Sequence, residues 1–165
     1  MKVKANREFL KVALYIMKIA DSFTVKSSVK KSWDFLFDPE NLISCIPGCE
    51  KVVRIDQNNY ISTVKIKVGY IPAKFKIKTT ITEINAPTHL SFICRGEDKG
   101  KAGFVSMDSI LHLKPLSGDM TEIAYTSDLN VVGRLSTFGD RIIKAKVKQL
   151  GEKFKEEIKF KLERG

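Results

Sequence analysis

The sequence contains few of the residues from which catalytic and metal sites are most often built. Its 165 residues include two histidines, three cysteines and one tryptophan. It contains no nucleophile elbow, no phosphate-binding loop and no His-Glu-x-x-His motif. No uninterrupted apolar run approaches the roughly 20 residues that a membrane-spanning helix requires. Within this sequence, these absences exclude the commonest hydrolase, nucleotide-binding and zinc-protease sites and a helical membrane span.

The length, the apolar fraction and the cysteines predict a single domain in a reducing compartment. A chain of this size with 43% hydrophobic residues can bury roughly 70% of its unfolded surface, so it needs no disulfide to fold. The cysteines are odd in number and no signal peptide is recognisable, which predicts free thiols at Cys45, Cys49 and Cys94 and a cytoplasmic location.

Acidic side chains are scarce relative to basic ones, which limits the choice of partners. The formal net charge is +10, and this favours an anionic membrane surface, an acidic protein or a nucleic acid. The lysines are spread from Lys2 to Lys161, which is typical of a solvated surface. A single-stranded nucleic-acid site also needs exposed aromatic rings, and Phe75 falls on the apolar face of its strand, opposite Lys74 and Lys76. We therefore expect no nucleic-acid partner.

The first third of the chain predicts one strand and two short helices. Alternating residues at 19–25 indicate the strand. The first helix follows with Ser27 or Ser28 as its N-cap. Asp38-Pro39-Glu40 then starts a second helix, which we expect Pro47-Gly48 to end.

The remainder predicts a meander of strands and one long helix. Period-two patterns indicate strands at 51–55, 60–68, 73–84, 89–95, 104–113 and 121–131. Apolar residues at every third or fourth position predict a helix over 134–163. The fold class is therefore α+β, a curved antiparallel sheet of about seven strands wrapped around a long C-terminal helix. A straight helix on a curved sheet leaves an apolar cavity, which suits a small hydrophobic molecule.

Residues 1–16 are predicted to be an N-terminal extension of one domain formed by residues 17–165. Two interpretations of the extension stay open. In one it is an amphipathic helix in which Phe9 and Ile16 share a face. In the other it is an upstream segment that the fold does not need, and Met17 is the native start.

A resemblance to a known family rests on three segments. They are FTVKSSVKKSWDFLFDPENLISCIPGCEKV at 23–52, KIKVGYIPAKFK at 65–76 and VVGRLSTFGDRIIKAKVKQLGEKF at 131–154. With the intervening strands in step, the resemblance covers about residues 17–155. The chain resembles CoxG, the family of the G-subunit of carbon monoxide dehydrogenase, within the START-like, helix-grip (SRPBCC) superfamily of hydrophobic-ligand binders.

The resemblance implies a helix-grip cup and an accessory function. Family members are linked to membrane attachment of a molybdenum hydroxylase of the carbon monoxide dehydrogenase type and to handling its quinone acceptor. The chain is thus expected to carry an isoprenoid quinone or lipid for such an enzyme, or to recruit it to the inner face of the membrane. It is expected to need no cofactor. The alternatives are a polyketide-cyclase-like enzyme that uses the same pocket and a basic nucleic-acid-binding domain.

The candidate ligand pocket consists of side chains that the patterns place on inward faces. They are Leu36, Ile46, Val64, Ile66, Phe75, Ile77, Met107, Leu111, Tyr125, Leu129, Phe138 and Ile142. In a helix-grip cup, the loop after the second helix would wall the cavity and face the start of the long helix. The candidate gate is therefore formed by Ile46, Pro47, Gly48, Gly133 and Gly139.

The cysteines and histidines do not predict a metal site. Cys45 and Cys49 are separated by Pro47-Gly48, and zinc needs two further ligands. Cys94 and the two histidines, His89 and His112, each stand alone in a strand pattern. Thiols packed as small apolar groups are the expectation.

The candidate catalytic groups are isolated from one another. His112 shares a strand face with Asp108, but about 13 Å separates them along a strand, too far for direct proton transfer. Tyr125 is predicted to point inward, where its hydroxyl needs either a ligand carbonyl or a backbone group. An enzyme would require several inward polar groups, which the strand patterns do not predict. We therefore expect no enzymatic activity and assign no catalytic residue.

Overall fold

The computed structural model describes residues 14–100 and 102–164. Within those ranges the chain forms seven strands, three α-helices and one 3-10 turn. In chain order they are β1 (Leu14–Val25), α1 (Val29–Phe37), α2 (Pro39–Ser44), β2 (Cys49–Arg54), β3 (Asn59–Val68), β4 (Ile71–Asn85), β5 (His89–Asp98), β6 (Phe104–Leu116), β7 (Met120–Val132), the 3-10 turn (Arg134–Phe138) and α3 (Gly139–Arg164).

The seven strands form one antiparallel sheet. Its order is β1-β7-β6-β5-β4-β3-β2, because short turns join the six consecutive strands and β1 returns to pair with β7. β1 and β2 are therefore the edge strands. The sheet is curved and carries the long helix α3 on one face, which we call the inner face. The predicted fold class, α+β with a curved sheet around a C-terminal helix, is confirmed.

β1 begins earlier than the sequence pattern indicated. Leu14 already pairs with Val132, so the strand includes 14–16, which we assigned to the extension. The same alternation continues through this segment: Tyr15 is half-buried, and Leu14 and Ile16 are exposed. Residues 1–13 lie outside the described residues, and the prediction of an extension stays a prediction.

Capping chemistry sets the two short helices, as predicted. The Ser28 hydroxyl accepts the backbone N–H of Lys31 at 3.2 Å, and the Asp38 carboxylate accepts that of Glu40 at 3.0 Å. α2 ends at Ser44, before the Pro47-Gly48 turn that was expected to end it, because its chain already turns at the Cys45 C-cap.

The predicted long helix is divided into two elements. The chain forms a 3-10 turn up to Phe138 and continues as α3 from Gly139. Gly139 adopts φ 73° and Gly133 adopts φ 101°, which are conformations that residues with a side chain rarely accept. The 26 residues of α3 extend about 39 Å. None of the helices in the described ranges is long and apolar enough to cross a membrane.

The buried side chains form two clusters at opposite ends of the inner face. The first apolar cluster joins α1 and the end of α3 to the sheet, and consists of Val25, Trp33, Leu36, Cys45, Leu90, Leu113, Ile123, Ile158 and Leu162. The second apolar cluster lies under the 3-10 turn, and consists of Val68, Ile71, Ala73, Phe75, Ala102, Val131 and Leu135. The two ends of the helical segment are therefore anchored separately.

The two isoleucines of α3 that differ most in exposure test this anchoring. Ile158 is 0% exposed and Ile142 is 39% exposed. We expect Ile158→Ala to lower the free energy of unfolding by about 2–5 kcal/mol, since it removes buried methyl groups and leaves a cavity. Ile142→Ala is the matched control and should cost less than about 1 kcal/mol. Urea denaturation measures both, and equal losses would contradict the anchoring of α3 through its C-terminal end.

Candidate ligand site

The strand register aligns inner-face side chains in rows across the sheet. One row, here called the central row, lies between the two apolar clusters and consists of Met17, Leu129, Met107, Cys94 and Thr79. All five are half-buried although they point toward α3. The Thr79 hydroxyl and the Cys94 thiol form a hydrogen bond of 3.3 Å. Half-burial in this position is consistent with space between the sheet and α3 that is not completely filled.

The neighbouring row brings two serines together. Ser109 and Ser127 are register partners, and their hydroxyls lie 2.7 Å apart in a buried hydrogen bond. On either side of them the row continues with Ile19 and Phe92. The centre of the inner face is therefore mixed in polarity, whereas both of its ends are apolar.

The middle of α3 lies opposite the central row. Tyr15 donates a 2.7 Å hydrogen bond to Asp140, and Asp21 forms a 2.7 Å ion pair with Lys155. Asp140 and Lys155 are 15 residues apart on α3, and Tyr15 and Asp21 are six residues apart on β1. Both intervals span about 20 Å. The helix segment between them therefore lies level with Met17. Its inward residues are also half-buried: Val147, Leu150, Gly151 and Phe154.

Contacts at both ends of this segment close the site. Phe138 covers Gly69, where a Cβ would lie 2.7 Å from the ring, and its ring meets Tyr70 edge to face at 5.5 Å. At the other end, Lys161 donates a 2.6 Å hydrogen bond to the Ser44 hydroxyl. The partly filled space between the central row and the middle of α3 is thus the candidate ligand site.

One flank of α3 is tied to β1 along its whole length. Besides the contacts of Tyr15 and Asp21, the Lys26 backbone N–H donates to Glu163 at 3.2 Å. We call these three contacts the β1 seam. The other flank faces α2, as the contact of Lys161 with Ser44 shows. At 100° per residue, Leu150 and Phe154 lie on the same flank as Lys161.

Four polar side chains meet two rows from the central row, on the side of the first apolar cluster. Lys155 lies 2.7 Å from Asp21 and 2.8 Å from Glu152, and Tyr125 is the register partner of Asp21. We call this group the inner polar cluster. The expectation that no group of inward polar residues exists was wrong. The signal was present, since Asp21 shares the strand phase of Phe23.

The electrostatics of the inner polar cluster favour the charged forms of Asp21 and Lys155 and the neutral form of Tyr125. The hydrogen bond from Lys155 is the main cause that lowers the pKa of Asp21, against the opposing effect of burial. The hydrogen bonds to Asp21 and then Glu152 raise the pKa of Lys155. Burial, followed by the negative charge of Asp21, raises the pKa of Tyr125. Lys155 and Tyr125 are therefore protonated at neutral pH, and Asp21 is ionised.

The predicted lining residues are distributed over several environments. Met107 and Leu129 are neighbours in the central row, and Leu111 and Tyr125 are register partners two rows away. Three residues are fully buried in the core: Leu36, Val64 and Phe75. The half-buried remainder consists of Ile46, Ile66, Ile77 and Phe138. Whether these residues line a ligand stays a prediction.

Ile142 was placed wrongly. It is 39% exposed, whereas the adjacent Ile143 is 5% exposed, because consecutive residues of a helix point about 100° apart. The sequence patterns also missed residues whose partners are distant in the chain. They are Met17, Ile19, Asp21, Thr79, Cys94, Val147, Leu150, Phe154 and Lys155. The apolar helix residues in this list do follow the spacing of three or four positions that predicted the long helix.

The predicted gate residues do not lie at one place. Ser44, just before the loop, contacts Lys161 in the last third of α3, rather than the start of the helix as expected. Gly48 packs against β3, and its backbone carbonyl accepts the Lys65 N–H at 2.8 Å. Gly133 packs instead against Gly103 before β6. The loop of Ile46 and Pro47 therefore lies near the flank of α3 that faces α2. We call it the open flank because the β1 seam lies on the other side, and the role of the loop as a gate stays a prediction.

The three thiols are free. Burial is the main cause that raises the pKa of each of them, Cys45, Cys49 and Cys94. A raised pKa leaves little of the reactive thiolate at neutral pH. In the described part of the chain, no three of its histidine, cysteine and acidic side chains lie close enough to hold a metal ion.

The two histidines are neighbours, which the separate strand patterns did not show. His89 and His112 are register partners, and their ring centroids are 4.6 Å apart. His89 also lies 3.0 Å from the Ser91 hydroxyl. Because His112 is exposed and lies on the outer face of the sheet together with Asp108, the pair lies away from the candidate ligand site.

The outer face of the sheet carries a second candidate surface. A shallow groove of about 290 Å³ is bordered by Lys76, Lys78, Arg95 and Phe104. An adjoining groove of about 530 Å³ is bordered by further lysines, namely Lys65, Lys74 and Lys99. Phe104 is 55% exposed, so this face does present an aromatic ring among cations. None of the predicted lining residues borders either groove.

Comparisons with known proteins converge on one family and one fold. A family model that describes CoxG, the G-subunit of carbon monoxide dehydrogenase, matches residues 22–163. Among curated proteins none matched. A solved structure of a conserved protein from Geobacillus kaustophilus is 26% identical, with a TM-score of 0.82 over 88% of this chain and 95% of that one.

Two further solved structures are similar in fold. A START superfamily protein from Mycobacterium smegmatis is 14% identical, with a TM-score of 0.68 over 89% of this chain and 97% of that chain. The Zhui aromatase/cyclase from Streptomyces sp. R1128 is 13% identical, with a TM-score of 0.67 over 91% and 95% respectively. The resemblance to the CoxG family is thus confirmed by the family model, and these structures share the predicted helix-grip fold.

The ion pair of Asp21 predicts a pH-dependent contribution to stability. Because its pKa is lowered on folding, the stabilisation is present above the ordinary value of about 3.9 and is lost as the pH falls through the folded-state value. At neutral pH we expect Asp21→Asn to destabilise the fold by about 1 kcal/mol or less, since Asp21 is 36% exposed. Urea titrations from neutral to acid pH measure the difference from wild type.

The matched control is Asp34→Asn, which removes the exposed ion pair of Asp34 with Lys30 and should change stability by less than about 0.5 kcal/mol. A difference between Asp21→Asn and wild type that grew toward acid pH would contradict the assignment.

Proposed function

This chain belongs to the CoxG family, that of the G-subunit of carbon monoxide dehydrogenase, and on that premise we propose that it is a non-catalytic carrier of a hydrophobic small molecule. The proposed ligand is an isoprenoid quinone or a lipid. The proposed partner is a molybdenum hydroxylase of the carbon monoxide dehydrogenase type, which the chain supplies with ligand or recruits to the inner face of the membrane.

The observation that carries the proposal is the half-burial of facing side chains in the middle of the inner face. Met17 and Met107 on the sheet and Val147 and Leu150 on α3 point toward one another and remain half-buried. Well-packed protein interiors leave few voids larger than a water molecule. Apolar side chains kept apart in this way are consistent with a site whose remaining contacts come from a ligand.

Apolar burial supplies the binding energy in this proposal. Covering a few hundred Å² of a prenyl chain gives several kcal/mol at about 25 cal/mol per Å², before the ordering costs of binding. Met17 and Met107 suit such a ligand because unbranched thioether side chains adapt to irregular shapes. A long flexible apolar chain therefore fits this surface better than a rigid polar molecule.

The open flank of α3 is the proposed entrance. The β1 seam closes one flank through Asp140, Lys155 and Glu163. On the other flank Leu150 and Phe154 face the loop that carries Ile46. A ligand entering there would pass between two apolar surfaces, and the loop would have to move to admit it.

A cyclase-like enzyme is the second candidate function, because the inner polar cluster supplies the inward polar groups that such an enzyme would require. Proton transfer near neutral pH works best when the pKa of the catalytic group lies close to the pH. The pKa shifts of Asp21, Lys155 and Tyr125 all move away from neutrality. This supports binding rather than acid-base catalysis by these groups.

The cationic outer face is the proposed docking surface. Lys65 and Lys74 are directly opposed across two strands, and Glu50 forms a 3.3 Å ion pair with Lys74. Together with Lys76, Lys78 and Arg95 they favour an acidic enzyme surface or an anionic leaflet, mainly by accelerating association. The ligand site and the docking surface would then occupy opposite faces of the sheet.

Extraction of the purified protein tests the carrier function. We expect gentle purification, organic extraction and mass spectrometry to recover an isoprenoid quinone or lipid at about one molecule per chain. Ile46→Lys should lose most of this ligand, because a charge beside the entrance is costly to desolvate. Ile55→Lys is the matched control, since Ile55 is 55% exposed and lies away from the entrance.

Two results would contradict the carrier function. One is a protein that is empty and also fails to take up added menaquinone. The other is conversion of an added ligand into a new product, which would favour the enzyme. Full ligand retention by Ile46→Lys would contradict only the entrance.

Charge reversal on the outer face tests docking. We expect Lys76→Glu combined with Lys78→Glu to weaken binding to vesicles containing phosphatidylglycerol by about 30-fold or more, at roughly 1 kcal/mol per lysine. Lys148→Glu combined with Lys159→Glu, on the exposed side of α3, is the matched control. Sedimentation at low and high salt measures both. Binding that is independent of salt, or equally weakened in the control, would contradict docking through this face.

A further inference from the structure

We infer that the inner polar cluster, formed by Asp21, Glu152, Lys155 and Tyr125, recognises a neutral oxygen, a carbonyl or hydroxyl, at the polar end of an otherwise apolar ligand. The inference rests on the proposed function, since it concerns the specificity of the same site. The four residues are specificity-determining groups, and nothing in the sequence pattern singled them out as a set.

The inner polar cluster lies where a ligand in the candidate site would end. Asp21 is adjacent on the inner face of β1 to Ile19 and Phe23, and it pairs with Tyr125. Lys155 follows directly after the half-buried middle of α3, one residue from Phe154. A ligand that extends along α3 from the central row toward the first apolar cluster would therefore meet these polar groups.

Lys155 has a donor that its two ion pairs leave unused. Its ammonium group carries three N–H bonds. Asp21 and Glu152 accept two of them at 2.7 and 2.8 Å. The Lys155 side chain is 16% exposed, so it is largely enclosed yet accessible to a small molecule. The third N–H can donate to an oxygen that enters from the candidate site.

Tyr125 offers a second polar contact from the sheet. Its hydroxyl interacts with Asp21 and faces α3 at Gly151, where an added Cβ would be 3.5 Å from it. Because Gly151 has no side chain, nothing projects from the helix across the Tyr125 hydroxyl. An oxygen placed beside it could accept from Lys155 and lie within reach of Tyr125.

The charges of the inner polar cluster define the class of ligand. The carboxylates of Asp21 and Glu152 outnumber the single ammonium of Lys155, so the group carries a formal charge of −1. A ligand carboxylate or phosphate would meet two like charges in a partly desolvated place, which is unfavourable. A neutral oxygen accepts a hydrogen bond without that repulsion.

The same ion pair also belongs to the β1 seam, so the experiment must separate recognition from the attachment of α3. Tyr125→Phe removes one hydroxyl and keeps the ring and the ion pair. Tyr15→Phe is the matched control, because it removes the hydroxyl that holds the other end of α3 through Asp140. Asp21→Ala combined with Lys155→Met removes the ammonium donor without leaving an unpaired carboxylate at Asp21 or adding an amide donor.

Three probes with related branched C20 isoprenoid skeletons provide the readout: phytol with a hydroxyl, phytane with no oxygen, and phytanic acid with a carboxylate. Dissociation constants are measured by tryptophan fluorescence or calorimetry. We expect wild type to prefer phytol to both of the others. Tyr125→Phe and the double variant should each weaken phytol about five-fold, the effect of one hydrogen bond, and leave phytane unchanged. Tyr15→Phe should not change the ratio of phytol to phytane.

The outcomes distinguish this inference from the carrier function. Equal losses for phytol and phytane in Tyr125→Phe and the double variant would overturn the inference, since the groups would then act through structure alone. Unchanged binding of all probes in both variants would also overturn it. In either case the carrier function would stand. If wild type binds none of the probes and no menaquinone, the carrier function fails as well.

Discussion

Apolar burial at the two ends of the helical segment is the constraint from which the other features of this molecule follow. Ile158 and Leu162 are held in the first apolar cluster, and Phe138 packs on the second. Because α3 is a straight rod of about 39 Å and the sheet beneath it twists and curves, contact at both ends leaves the middle of the helix apart from the sheet. The partly covered central row is a consequence of that geometry.

Polar contacts then make the site asymmetric. β1 is an edge strand, and exposed edges of sheets usually need some form of protection. Here α3 runs along β1, and Asp140, Lys155 and Glu163 join it through hydrogen bonds and an ion pair. The opposite flank, toward α2, carries the apolar side chains of Leu150 and Phe154, whereas the flank along β1 carries charged side chains. In the proposed function, the ligand enters on that side.

The two faces of the sheet have different physical character. The inner face combines apolar ends with a centre where polar atoms are mutually bonded, as in the Ser109–Ser127 pair at 2.7 Å. The outer face carries lysines and Arg95 around an exposed Phe104. A carrier needs both an interior that accepts an apolar molecule and an exterior that finds a charged partner. This division suits the proposed function without requiring any catalytic group.

Local chemistry made the helices and strands of this protein predictable from its sequence, whereas long-range packing selected which residues meet. Alternation predicted the six consecutive strands, the caps at Ser28 and Asp38 placed α1 and α2, and the family segments indicated the helix-grip fold. Such signals involve neighbours in the chain. The boundaries were less certain: β1 starts at Leu14, and Gly139 divides the predicted long helix.

Asp21 and Lys155 are far apart in sequence, and their contact depends on how α3 lies along β1. The exposure of Ile142, the pairing of His89 with His112 and the contact of Ser44 with Lys161 likewise follow from register and helix placement. Periodicity assigns a side chain to a face, but tertiary packing determines what lies opposite that face. That is why the fold could be predicted from the sequence and the polar end of the site could not.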